Sequence, residues 1–540
     1  MTNRFYSFFW LLTLLLPFNA TLTAQTLKVI TRQHQLPVLI NKPNNPILDI
    51  TCYNNKDSAR IRAFTFRFHG TTHLQDIEKI TLRSGRNILA EKIVNGKNKI
   101  TLPVNCVLAD TTHFTVTCNL KPTTDLSHFV GIQCFSVLTE KGKTTPINVT
   151  PHIRFRTGIA VRQHRQDGVD THRIPGLTTT QAGTLLAIYD ARWDNSRDLQ
   201  GNMDIGVSRS TDKGQTWEPM RIALDMKEWG GLPEKFNGVS DACILTNRNN
   251  GKIYIAGLWM HGILNNKGQW IEDLTADSNN WQHQWAGKGS QPGLSEKETS
   301  QFLITESSND GQTWSAPHNI TAATKPSGWW LFAPAPGCGI TLQDHTLVFP
   351  TQGRDTAGIP FSNITYSRDG GITWHTSALA YTNTTECAVA QLSDGSLMLN
   401  MRDNRNGREK SDRNGRAIFT TTDLGKNWQE HPSSHGGLPE PVCMASLLRH
   451  EYTEKGQKKS ILLFSNPHSR YSRNNMTLQV SFNDGKSWCE QNILLDSGNS
   501  FGYSCLTSID ENTIGILYES SRAQIVFQQI QLSEILSCRK

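Results

Sequence analysis

The chain has 540 residues, too many for one ordinary domain and enough for two. Its hydrophobic content of 37% and charged content of 19% are those of a packed globular protein and exclude general disorder. The net charge of +7 suits an acidic ligand, but the densest basic stretch, Arg402 to Arg416, is interrupted by Asp403, Glu409 and Asp412, so most of it reads as a solvated loop and no nucleic-acid partner is expected.

The first element is a targeting segment. Arg4 precedes the apolar run FYSFFWLLTLLL at 5–16, Pro17 breaks it, and small residues follow to Ala24. That is the layout of a secretory signal peptide over 1–24, and the run is short for a bilayer span. The chain is therefore expected to be exported, to the periplasm, cell surface or medium, with no membrane span after signal removal. Eleven cysteines with no CxxC pair argue against a full disulfide framework. No HExxH or Cys/His cluster appears, so neither a catalytic metal nor any other cofactor is expected.

From 25 to 155, segments such as AFTFRF, HFTVTC and FVGIQCFSVLTE alternate apolar and polar residues between turns of Asn, Asp, Gly and Lys. This is the strand period without a helical one, and it predicts a small β-sandwich, an accessory domain that either binds carbohydrate or acts as a spacer.

From 156 to 540 the chain repeats. SRSTDKGQTW, SSNDGQTW, SRDGGITW, TTDLGKNW and SFNDGKSW end at Trp217, Trp314, Trp374, Trp428 and Trp488, the last four tryptophans being 60, 54 and 60 residues apart. Each box reads as a hairpin turn. Asp or Asn accepts turn N–H groups, Gly takes a positive φ, and Trp covers the turn. Strand patterns such as MDIGVSRS, AIFTTTD and MTLQVSF flank the boxes. At roughly 55 to 65 residues per unit, this predicts an all-β, six-bladed β-propeller with loops expanding its second blade.

The boxes resemble the Asp-box of sialidases, and the resemblance extends beyond them. His172-Arg173-Ile174-Pro175 is similar to the (Phe/Tyr)-Arg-Ile-Pro motif that opens the sialidase catalytic domain, with His172 a departure at the aromatic position. Asp190-Ala191-Arg192, Glu386 in TTECAVAQ, Arg473 in SRNNMTL, Tyr503 in GYSCL and Glu519 in LYE continue the ordered set.

The resemblance implies an exo-α-sialidase that removes terminal α-linked sialic acid from glycoproteins, glycolipids and oligosaccharides, so sialylated glycans are the expected partners. Sialic acid carries a carboxylate on its anomeric carbon. A planar, permanently charged guanidinium suits it. Arg173, Arg402 and Arg473 match the three family arginines that grip it, and Glu519 matches the carboxylate that braces the first. A carboxylate nucleophile would be repelled by the substrate's own charge, whereas a phenol is not. Tyr503 is the matching nucleophile and Glu386 the base that takes its proton. Asp198, on the loop WDNSRDLQGN, is the acid/base candidate, with Asp194 its neighbour and competitor. Partial burial is expected to tune it. Arg192 is expected near the ring substituents and Asp241 in the pocket wall. Trp329 and Trp330 are expected in the core. A sialic-acid-binding lectin would keep the arginines and lose Tyr503, Glu386 or Asp198. A trans-sialidase would share every one of these residues. Linkage preference and oligomeric state are not legible.

Overall fold

The computed structural model describes residues 27–54, 59–199, 201–229, 234, 237–261, 290–296 and 298–539, so the leader segment read at 1–24 lies outside the described residues. Among the described residues, no helix is long and apolar enough to cross a membrane.

The N-terminal part is a sandwich of two antiparallel-rich sheets. One contains strands Lys28–Arg32, Asn45–Tyr53, Ile77–Ser84, Asn87–Ile93, Thr111–Leu120 and Ile147–Asn148; the other contains Arg60–Arg67, Lys99–Val107, Gln133–Thr139 and Gly142–Thr144. Alternation along these strands sends Ile50, Phe64, Phe66, Ile80, Phe114 and Val116 inward, and all six are buried. Phe64 and Phe114 meet edge to face at 5.1 Å across the two sheets.

The remainder is a β-propeller of six four-stranded antiparallel blades. Blade 1 begins with Thr171–Thr179, blade 2 with Asn237–Thr246, blade 3 with Leu331–Pro334, blade 4 with Thr384–Gln391, blade 5 with Ser446–Glu454 and blade 6 with Ser504–Asp510. These six first strands line the axis, and neighbouring blades touch in a closed cycle, with Ser504–Asp510 returning to Thr171–Thr179. Blade 6 takes its fourth strand from the other end of the chain: Phe155–Arg162 pairs antiparallel with Ile525–Gln531.

Each of the five boxes joins the third and fourth strands of blades 1 to 5. In the first, Thr216 N donates to Asp212 Oδ1 at 2.9 Å, Gly214 N donates to Ser210 Oγ at 2.8 Å, and Trp217 Nε1 donates to Gly214 O at 3.0 Å. Equivalent Asx bonds hold Thr313 to Asn309, Thr373 to Asp369, Asn427 to Asp423 and Ser487 to Asn483. Six blades have five boxes because blade 6 needs no such turn: its fourth strand arrives from upstream.

The sandwich is stitched to that same strand. Val38–Leu39 pairs parallel with Thr157 and Gly158, and Phe129–Val130 pairs antiparallel with Phe155 and Arg156. One continuous apolar cluster runs from Phe64 and Phe66 to Leu177, Tyr189, Leu517 and Phe527. All eleven cysteines are free thiols.

Candidate active site

In an antiparallel blade, the start of the first strand and the loop between the second and third strands lie on the same propeller face. The candidate residues occupy those positions. Arg173 and Glu386 sit near the starts of the first strands of blades 1 and 4, Asp241 at the middle of that of blade 2, and Tyr503 immediately precedes that of blade 6. Arg192 and Arg402 lie at or near the ends of second strands, Asp198 and Arg473 in the loops that follow second strands, and Glu519 one residue beyond Tyr518. The first strands of blades 1, 2 and 4 also break register here, between Arg173 and Gly176, Ser240 and Cys243, and Thr384 and Cys387. Such bulges re-aim side chains. Ile174 and Asp241, inside two of them, hold positive φ values of 60° and 54°, which non-glycine residues resist.

The structure brings Tyr503, Glu386 and Arg402 together. The Tyr503 hydroxyl donates a short hydrogen bond to Glu386 Oε1. Arg402 Nη1 reaches Glu386 Oε2 at 2.5 Å and the Tyr503 oxygen at 3.2 Å. Tyr503 is 6% exposed. Burial, and next the Glu386 carboxylate, push its phenol well above the usual tyrosine range, while Arg402 and Arg473 oppose that rise. The resting form is therefore the neutral phenol.

Two further guanidinium groups flank the ring. Arg173 and Arg473 lie 5.7 and 5.6 Å from its centroid. Arg473 is fixed through two carbonyls, Phe501 O at 3.1 Å and Val442 O at 3.0 Å. Arg173 stacks under Phe501 at 3.8 Å. Its Nε donates to Glu519 Oε1, which also accepts from Ile174 N at 3.1 Å. The other oxygen of Glu519 accepts from Tyr503 N at 2.9 Å. One buried carboxylate thus ties an arginine, a strained backbone and the tyrosine to each other.

Arg192 is buried and held by Asp190 Oδ2 at 2.9 Å and by Ser196 O at 2.9 Å. Burial pushes Asp190 up to about 6, with Arg192 and then Ser240 pulling the other way. Arg192 also pairs with Asp198 at 2.5 Å. The Asp198 side chain is 63% exposed, so the partial burial expected from the sequence is absent. The next residue explains why the loop is nonetheless placed: Leu199 is 2% exposed and plugs into Leu258, Met260, Leu331 and Ala333. Asp194 is exposed. Asp241 accepts from Gln352 Nε2 at 3.3 Å. Burial, then the Glu386, Asp190 and Asp198 charges, push its carboxyl well above the usual range.

His172 is fully buried, its ring edge-on to Tyr189 at 5.5 Å, so an aromatic surface is preserved at the departing position. Trp329 and Trp330 are both only half-buried, which departs from the core expectation: Trp329 packs against Phe361 at 4.6 Å at the edge of a core cluster, and the indole N–H of Trp330 turns to Thr356 O at the loop surface. The run 402–416 is also not uniformly solvated: Arg416 is 0% exposed and paired with a buried Glu440 at 2.6 Å. A cavity of about 610 Å³ opens at the opposite ends of the first strands, against Thr178, Arg248, Gln391, Arg449 and Thr507, and contains none of the candidate residues. Among the described residues, His73, Asp76 and His128 of the sandwich form the one group of three able to hold a metal ion.

The BNR repeat-like domain family matches residues 174–513, and the N-terminal domain of BNR-repeat neuraminidase matches residues 25–107. A sialidase of Bacteroides fragilis is 37% identical, covering 94% of this chain and 95% of its own. Among solved structures, a Hadza microbial sialidase superposes with a TM-score of 0.83 at 35% identity, covering 93% of this chain and 99% of that one. A Trypanosoma rangeli sialidase shares the fold at a TM-score of 0.54 and 21% identity, over 71% of this chain and 60% of that one. Near-complete coverage by relatives above 30% identity places the protein: the chain belongs to the sialidase family.

Proposed function

We propose that this chain is an exo-α-sialidase that hydrolyses terminal α-linked sialic acid by a retaining mechanism with Tyr503 as nucleophile. The observation that carries the proposal is the Tyr503 hydroxyl held between Glu386 and Arg402, with Arg173 and Arg473 beside the ring. The relatives named as sialidases support the same substrate class.

Arg173, Arg402 and Arg473 receive the substrate carboxylate and fix its plane. The leaving-group oxygen takes its proton from Asp198, which the Leu199 plug holds at the rim and which bound sugar would cover. As the glycosidic bond breaks, the anomeric carbon gains oxocarbenium character. Tyr503 bonds to it and passes its proton to Glu386. Because the phenol is held neutral at rest, that proton moves only as the new bond forms. In the second half, Asp198, now a carboxylate, takes a proton from water. The water oxygen displaces Tyr503, which recovers its proton from Glu386. Two displacements give net retention. Export after removal of residues 1–24 belongs to the same proposal, and amino-terminal sequencing of the mature chain tests it.

The test is release of 4-methylumbelliferone from its α-sialoside by wild type and Tyr503→Phe. The variant is expected to lose at least about a thousandfold in kcat, since no hydroxyl remains to form the covalent bond. NMR of the first-formed product distinguishes the courses: an α-anomer is expected, and a β-anomer refutes the covalent scheme.

A further inference from the structure

Charged pairs buried away from a site usually need little explanation, but the contacts of Arg416 and Glu440 do. Both side chains are 0% exposed. Arg416 Nε donates to Asn400 Oδ1 at 2.7 Å and Nη2 to Asn400 O at 3.2 Å, two residues before Arg402. Glu440 Oε1 accepts from Asp403 N at 2.7 Å, one residue after Arg402. The pair therefore grips the backbone on both sides of that arginine. On the other side, Arg416 Nη1 donates to Cys443 O at 2.8 Å. The preceding carbonyl, that of Val442, is the one that holds Arg473 Nη2. Val442 is β-branched yet sits at φ 57°, a conformation that persists only where its surroundings enforce it.

One guanidinium thus touches the backbone footing of two arginines on two different blades. Stability alone is a weak reason for such a pair, because well-packed apolar residues often replace a buried ion pair without loss. We propose that Arg416 and Glu440 are positioning residues that set the separation of Arg402 and Arg473, and so the affinity of the site for the substrate carboxylate; this rests on the sialidase reading above.

Two variants test it. Arg416→Lys keeps the charge but replaces a planar fork by a single ammonium, which cannot reach all of the acceptors at once. Arg416→Met with Glu440→Leu removes both charges together, so no lone buried charge is left to unfold the protein. Each is measured for thermal midpoint, for kcat and KM on 4-methylumbelliferyl α-sialoside, and by calorimetry for binding of sialic acid and of its methyl ester. The expected result is a folded protein with KM raised about tenfold or more, kcat changed less than about threefold, and the preference for free acid over ester narrowed about tenfold. KM and acid-over-ester preference within about twofold of wild type in folded variants would overturn the proposal, as would a rate loss that merely follows the folded fraction. A wild type that binds sialic acid without turnover would instead refute the sialidase reading, and the acid–ester comparison by calorimetry would still decide the role of the pair.

Discussion

Glu519→Gln isolates the brace beneath the site. Glu519 is 1% exposed and accepts three hydrogen bonds: Arg173 Nε and Ile174 N on one oxygen, Tyr503 N on the other. A glutamine has one oxygen and one amide nitrogen. If the oxygen faces Arg173, the NH₂ opposes the Tyr503 N–H, and if it faces Tyr503, the NH₂ opposes both donors on the other side. Either way at least one buried donor loses its acceptor, at a cost of about 1–3 kcal/mol each. Arg173, 7% exposed, also loses its one carboxylate partner among the described residues, and leaving a buried charge unpaired costs about 3–5 kcal/mol. The two overlap, so about 3–5 kcal/mol of stability is the expected loss, read by chemical denaturation. Activity should fall further than stability accounts for, because the arginine and the tyrosine backbone are displaced together. A drop of about a hundredfold or more in kcat/KM, measured well below the unfolding transition, is expected. A variant within about 1 kcal/mol of wild type and within about threefold in kcat/KM would refute the claim that one carboxylate couples the two.

Three further substitutions probe separate features. Burial pushes His172 down to about 4, so its neutral form contributes stability that is complete above its unfolded value of 6.5 and lost as pH falls toward 4. The shift corresponds to about 3 kcal/mol, and His172→Phe should match wild type at pH 7.5 but melt higher at pH 4.5; equal melting at both would refute the burial argument. Leu199→Ala empties the plug beneath Asp198, and kcat should drop about tenfold while the thermal midpoint falls only a few degrees, since the loss stays in one loop. Gly502→Ala places a Cβ 2.7 Å from Pro467 Cγ and 3.2 Å from Arg473 Cβ at a φ of +87°, so KM should rise about tenfold; unchanged kinetics would show that the loop can yield.

Much of the fold was written locally. The boxes announce hairpin turns because Asp, Gly and Trp act within eight residues, and the period-2 segments announce strands for the same reason. What local pattern cannot carry is a partner at a distance. Blade 6 joins residues near 159 to residues near 527, and nothing in either stretch names the other. Arg416 looked solvated because Asp403, Glu409 and Asp412 interrupt the basic run that it ends; its burial depends on Glu440 and Asn400, which fold in from other segments. The candidate residues were legible only as an ordered resemblance. The second oxygen of Glu519 on Tyr503 N and the plug of Leu199 carry no motif, since the first arises from strand pairing within blade 6 and the second from packing between blades.

The closure of the ring has a temporal consequence. A chain emerging from its amino end can pair the strands of blades 1 to 5 as each is made, because every one of those hairpins is local. Blade 6 must wait for Ile525–Gln531 before Phe155–Arg162 has its neighbour, and that strand is meanwhile paired with Val38–Leu39 and Phe129–Val130 of the sandwich. Contacts of such sequence separation are the slow ones. Tyr503 and Glu519 flank strands of that last blade, whereas Arg173, Arg402 and Arg473 belong to blades 1, 4 and 5, so closing blade 6 is what sets Tyr503 against them. The candidate site is thus complete only when the two distant segments of blade 6 have paired.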